Sequence, residues 1–338
     1  TTASSYTLQA IEGYTDLFQI NGLSEDDEQI CMSSEVSVYE DLALVTEQND
    51  GSVRLMLLDT ASGKLLAQKT IPTDHAYDIT AVLRDASTIF CYDQQTGAAV
   101  LYDLNFREAA SFSVDAGSTS GVMLKADGSG CYYLEKESGT LFEVSYDEEK
   151  KAFTEPQAVK TFGESNIAGA KLNGTLSTSH GVDYIITLYT GEAYDASVYA
   201  WNASAQKLSE IGEINRDIWT EGKNILVDKG DEICIFSPDT PKAYRSIPKE
   251  SEREYLIRVE AGLIATLEYM TNTETENAYH LRLYDQEMGT ITDSIFLQGS
   301  DGEQQFYVRD AAIVANGRVF LTVSSNERTL YYLWSRDG

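Results

Sequence analysis

The 338-residue sequence predicts an all-β chain built from repeated four-stranded sheets. Two observations predict it. Helical periodicity is nearly absent, while short β-branched and aromatic runs recur from end to end between Gly, Asp and Asn turns. The runs also repeat at intervals of roughly 40 to 55 residues, the period of a sheet-sized unit.

Aligned on the turn after the first strand of each unit, the repeats fall at Asp41, Asp85, Asp127, Gly181, Gly222, Gly262 and Gly317. An apolar second strand follows each turn: Leu42–Val45, Thr88–Tyr92, Cys131–Leu134, Tyr184–Leu188, Ile225–Val227, Leu263–Leu267 and Val319–Val323. Third strands come next, at Val53–Leu58, Ala99–Tyr102, Thr140–Val144, Ser197–Trp201, Glu232–Phe236, His280–Tyr284 and Thr329–Trp334. Their near-continuous apolar character is what a strand covered on both faces needs. Fourth strands such as Lys64–Ile71 and Lys207–Ile214 are more polar, as suits an outer edge kept from pairing with other molecules.

Seven units of this kind predict a seven-bladed β-propeller with four-stranded antiparallel blades, a single domain over 1–338. The blades are expected at approximately 30–72, 77–115, 119–160, 173–215, 217–248, 254–298 and 305–335. The last unit has no fourth strand after Trp334. Residues 6–20 carry Tyr6, Leu8, Ile11, Leu17, Phe18 and Ile20, and are expected to complete that blade and close the ring. Thr1–Ser5 reads as a tether or a cloning remnant, as if an upstream signal had been removed.

The stretch from Leu57 to Leu66 places Asp59, Gly63 and Lys64 in a D-x-x-x-G-K turn between two strands, echoed at Tyr92–Gly97 and Tyr284–Gly289. This pattern resembles the repeats of bacterial extracytoplasmic propellers of the quinoprotein-like and YVTN-like seven-bladed type. The two echoes occupy different positions in the blade, and the Trp that ends the family repeat is absent from these stretches. The resemblance implies the propeller architecture and implies no cofactor.

Composition bounds the partners. Hydrophobic residues make up 42% of the chain, enough for a sizeable core, and no apolar run approaches the roughly 18 residues of a spanning helix. With 25 basic against 54 acidic residues the net charge is −29, which argues against nucleic acid or an anionic membrane as partner and for a solvated monomer. Cys31, Cys91, Cys131 and Cys234 lie far apart without metal spacing and read as buried thiols. The acidic run Glu25-Asp26-Asp27-Glu28 lacks the D-x-[DN]-x-[DN]-G order of a calcium loop, so no metal is assigned.

Long irregular segments fall at 21–29, 161–174, 190–196, 270–278 and 298–305, all on one expected face, where function is usually carried. First strands should line a channel. Three of them are preceded by adjacent opposite charges, Arg216-Asp217, Arg253-Glu254 and Arg309-Asp310, with Tyr77, Trp219, Tyr255 and Tyr307 nearby. Aromatic faces beside polar groups can stack on and hydrogen-bond a ligand, so these ten residues are the candidate binding set. The competing reading is that they pack blade on blade and pair their charges.

His75, His180 and His280 stand in different units with no catalytic spacing, and no catalytic residue is assigned. The expected function is a non-catalytic extracytoplasmic scaffold, secreted or tethered to the cell surface as a lipoprotein. It would recognise a protein, peptide or glycan through the loop-rich face. Two alternatives stand beside it: a glycoside hydrolase or lyase with paired carboxylates at the channel mouth, drawn from Asp217, Glu254 or Asp310, and a structural component of an envelope assembly.

Overall fold

The computed structural model describes residues 8–11, 14–20, 31–162, 171–178, 181–189, 196–202, 207–213, 218–236, 244–270, 278–299, 306–325 and 328–336. Two short strands open the chain, β1 (Leu8–Ile11) and β2 (Tyr14–Ile20). The first full sheet is β3 (Cys31–Tyr39), β4 (Leu42–Asn49), β5 (Ser52–Asp59) and β6 (Lys64–Pro72). A 3₁₀ turn at Ala76–Asp78 leads to β7 (Ile79–Leu83), β8 (Thr88–Asp93), β9 (Ala98–Asp103) and β10 (Glu108–Ser113). Next come β11 (Thr119–Leu124), β12 (Gly130–Glu135), β13 (Thr140–Asp147), β14 (Ala152–Phe153) and β15 (Gln157–Thr161).

The sheet that follows is β16 (Lys171–Thr178), β17 (Gly181–Tyr189), β18 (Ala196–Asn202) and β19 (Lys207–Glu213). After it stand β20 (Ile218–Glu221), β21 (Asn224–Asp228), β22 (Glu232–Phe236) and β23 (Arg245–Pro248). The chain ends with β24 (Glu254–Glu260), β25 (Leu263–Tyr269), β26 (Ala278–Asp285) and β27 (Ile291–Gly299), then β28 (Phe306–Ile313), β29 (Val319–Ser325) and β30 (Arg328–Arg336).

The described strands pair antiparallel and with chain neighbours, except where the N-terminal strands join in and where β15 pairs with β13. Among the described residues, blades that run as a path of four antiparallel strands number six, not the seven expected. The remaining sheet, β24 to β27, is widened to five strands because β1 pairs with β27, Leu8 opposite Gly299 and Ile11 opposite Phe296. The β11–β14 path carries β15 as an additional strand on β13.

The N-terminal segment therefore differs from the single closing strand expected over 6–20. It divides between two sheets: β1 extends β27, while β2 lies on β30 with Tyr14 opposite Arg336 and Ile20 opposite Tyr331. Glu12-Gly13 separates the two strands in the sequence, and Gly is a weak strand residue that marks bends.

The chain divides into two compact units, Thr1–Tyr77 with Ala81–Ala86 and Lys249–Gly338, and Asp78–Thr80 with Ser87–Pro248. In the first, strands β4, β5 and β29 are buried nearly throughout, because their sheets are covered on both faces. Leu281, Leu283 and Leu297 pack against Leu321, Val323 and Trp334, and on the far side Phe320, Tyr331 and Leu333 meet Val45, Met56 and Leu58. Each such side chain removed from water stabilises the fold by about 1.5–3 kcal/mol. In the second unit Phe90, Tyr92 and Leu101 pack with Cys131 in the same manner. The outer strand β6 alternates between exposed and part-buried residues instead, the period-2 pattern of a strand with one wet face.

The D-x-x-x-G stretches turn out to be one local device. Asp59, Asp93 and Asp285 each accept backbone N–H groups with their carboxylates, from Ala61, from Gln95 and Thr96, and from Glu287 and Met288. Gly63, Gly97 and Gly289 close the turns by donating to the carbonyls of those same aspartates, at 2.8 Å each, and adopt φ of 71°, 74° and 68°. Only glycine takes that conformation freely. The turn follows a third strand at Asp59 and Asp285 but a second strand at Asp93, so the motif marks a tight reversal and not a fixed place in the repeat.

Candidate functional site

Strands β24, β28 and β3 are the first strands of three sheets in the first unit, and they lie side by side. Both β24 and β28 carry a bulge, between Leu256 and Arg258 and between Val308 and Asp310. A bulge inserts one extra residue and re-aims the side chains around it. Counting back two residues from each inserted residue, Ile257 and Arg309, makes Tyr255 and Tyr307 counterparts on the two strands.

Tyr255 is 44% exposed and Tyr307 40% exposed. Arg309 stands beside Tyr307, with its guanidinium carbon 5.3 Å from the Tyr307 ring centre. Arg309 Nε also donates to Ser324 Oγ at 2.7 Å. Behind this pair lie Tyr269 and Tyr279, with ring centres 5.2 Å apart, at the end of β25 and the start of β26. Burial raises the Tyr279 hydroxyl well above its ordinary value, and the neighbouring Tyr255, Tyr269 and Tyr307 add to the rise. Burial raises Tyr255 as well, opposed by the charge of Arg309. Tyr255 and Tyr279 therefore keep their phenol protons at physiological pH, close to the Arg309 cation.

Further along the same strands sits a cluster of three carboxylates around one arginine. Arg258 Nε donates to Glu260 Oε1 at 2.9 Å, its NH1 lies 3.3 Å from Asp310 Oδ2, and its NH2 donates to the Val36 carbonyl on β3. Glu260 Oε2 accepts the Ile313 N–H at 2.8 Å, and Asp310 Oδ1 accepts the Ala311 N–H at 2.8 Å. Arg258 therefore straps three sheets together. A single guanidinium cannot offset three acids: burial pushes Glu260 up to about 7 despite Arg258, and raises Asp310. Glu35 on β3 is also raised, by desolvation first and by Asp310 last, although its side chain is solvent-accessible. Accessible yet desolvated is what a group on a concave wall experiences.

The ten residues singled out in the sequence fall in different places. Tyr255, Tyr307 and Arg309 come together in the aromatic patch, and exposed Arg253 immediately precedes β24 beside them. Asp310 turns away from Arg309 to meet Arg258. Glu254 is only 1% exposed: its carboxylate accepts the hydroxyls of Thr266 and Tyr284 and the Glu250 N–H, and pairs with Arg282 at 3.3 Å. Tyr77, 56% exposed, stands on the 3₁₀ turn before β7, in another sheet. Trp219 is part-buried in β20 of the second unit. Arg216 and Asp217 lie outside the described residues, as does the acidic run at 25–28 and most of the long segments.

The sequence reading missed Arg258, Glu260 and Glu35. Their signal was charge inside a first strand, between Ile257 and Val259 for Arg258, after Val259 for Glu260 and before Val36 for Glu35. Among the described residues no group of three or more His, Cys, Asp or Glu is placed to hold a metal ion, and no helix is long and apolar enough to cross a membrane. Cys91, Cys131 and Cys234 are buried and form no disulfide.

The β-propeller domain of Myceliophteria thermophila Cps50 (Swd1) superposes with a TM-score of 0.54 at 11% identity, covering 91% of this chain and 99% of that one. The fold is a β-propeller. The Dos1 propeller is also similar, with a TM-score of 0.49 at 8% identity over 90% of this chain and 96% of the other. No family model matches the sequence, and the search of curated proteins gives no match.

Proposed function

We propose that this propeller is a non-catalytic binding module that recognises a protein, peptide or glycan through the patch of Tyr255, Tyr307 and Arg309. The observation that carries the reading is the pair of half-exposed tyrosines at equivalent positions on neighbouring first strands, with the Arg309 guanidinium 5.3 Å from the Tyr307 ring centre. Rigid aromatic faces with a polar partner are the usual anchors of recognition surfaces. The acids that a hydrolase would need support binding over turnover. Each oxygen of Glu260 and Asp310 is already engaged by Arg258 or a backbone N–H, and Glu254 is buried in its own network. A setting outside the cytoplasm, on the cell surface, belongs to the same proposal.

The test is to present the labelled protein and its Tyr255→Ala/Tyr307→Ala variant to glycan and peptide arrays. Ligands bound by the parent and lost by the variant, with no change in ligand mass after incubation, support the reading. Equal binding by the two proteins, or conversion of a ligand to product, overturns it.

A further inference from the structure

Arg309 is an exposed cation, in a protein of net charge −29, that pairs with no carboxylate among the described residues. Its neighbour Asp310 is engaged with Arg258. Two contacts hold Arg309 in place, the Nε bond to Ser324 Oγ and the Tyr307 ring, whose centre is 5.3 Å from the guanidinium carbon. The residue is exposed, and among the described residues no hydrogen bond engages Nη1 or Nη2, the two prongs of its planar fork. That fork matches a carboxylate in a bidentate pair, and fixing it beforehand lowers the ordering cost of binding.

The half-exposed rings of Tyr255 and Tyr307 stand beside it. An aromatic platform next to one oriented guanidinium suits a saturated ring that lays its C–H face on a tyrosine and extends one acid group. A peptide bound by strand addition would be held by main-chain hydrogen bonds and would not need the arginine.

We propose that the patch takes a carboxylated sugar, with the carboxylate on Arg309 and the ring against Tyr255 and Tyr307. The proposal rests on the binding reading above and names its ligand class. The many surface acids repel a polyanion, so the fitting ligand carries isolated carboxylates, as a glycan with interspersed uronic acid residues does.

Titration calorimetry would use a panel of tetrasaccharides containing one glucuronate, galacturonate or mannuronate, together with their methyl esters, the matching neutral sugars, singly sulfated analogues and a tyrosine-rich acidic peptide. At least one uronate should bind the parent protein. Its methyl ester should bind about 10- to 100-fold more weakly, the range of a lost charge-assisted pair. Arg309→Ala should lose the same factor towards the acid and little towards the ester, with thermal unfolding unchanged to show that the variant is folded.

Equal affinity for acid and ester, tighter binding of the sulfated analogue, or Arg309-dependent binding of the peptide alone would overturn the sugar carboxylate. So would a failure of every uronate to bind. If neutral sugars or peptides still bind and still require Tyr255 and Tyr307, the binding function stands and only the ligand class falls.

Discussion

Replacing Glu260 by glutamine removes the one carboxyl in the Arg258 cluster that burial lifts to about 7. A carboxyl moved there from its ordinary 4.5 carries at most about 3.4 kcal/mol of proton linkage, at about 1.36 kcal/mol per decade. The side chain is 19% exposed, and it shares Arg258 with Asp310, so about 2 kcal/mol is the working figure. The sign follows from the direction of the shift. Between 4.5 and 7 the folded protein binds the proton more tightly than the unfolded chain, so this contribution is full below pH 4.5 and is lost as pH rises through 7.

Urea unfolding at pH 5, 6, 7 and 8 should show the parent losing about 2 kcal/mol more than Glu260→Gln across that range. Glutamine keeps one acceptor for the Ile313 N–H or for Arg258, so the variant should still fold. Asp310, also raised, would leave it a residual slope in the same direction. The carboxylates that are lowered, such as Asp59 and Glu268, act at more acid pH and do not enter this window. Parallel pH profiles for the two proteins would refute the claim that Glu260 holds its proton near neutrality.

Other substitutions test the packing around the site. Glu254→Ala leaves the hydroxyls of Thr266 and Tyr284, the Glu250 N–H and Arg282 without their shared acceptor; a loss of about 3–5 kcal/mol in urea unfolding is expected, and a loss under about 1 kcal/mol would show that water replaces the carboxylate. Gly130→Ala would set a Cβ 2.2 Å from the Val144 carbonyl oxygen and 2.8 Å from Ser145 Cα. The ladder between β12 and β13 must then shift, at a cost of about 3 kcal/mol. Gly51→Ala, with φ of 81° but nothing within 4 Å, should cost only about 1 kcal/mol, and calorimetric melting of the pair separates crowding from backbone strain.

The strands were legible in the sequence because their signal is local. Runs such as Val319–Val323 are apolar at every position but Thr322, and the Asp59–Gly63 turn needs no distant partner to form. Sheet width was not legible, since nothing in Leu8–Ile11 names β27 as its neighbour rather than β30; both strands offer apolar side chains to an incoming edge. The tyrosine patch was half legible. Tyr255 and Tyr307 stood out as aromatics near the start of first strands, but Arg253-Glu254 and Arg309-Asp310 looked equivalent and are not, because the bulges set the alignment. Arg258 was invisible as a strap, since Asp310 and the Val36 carbonyl lie on strands far away in the chain.

Tyrosine-directed oxidative footprinting, with a ligand recovered from the arrays, tests the central claim most directly. Tyr77 and Tyr244, 56% and 50% exposed, serve as internal controls elsewhere on the surface. Binding at the proposed patch predicts that Tyr255 and Tyr307 become protected while the two controls react as before. Protection of Tyr77 or Tyr244 with Tyr255 and Tyr307 unchanged would contradict it.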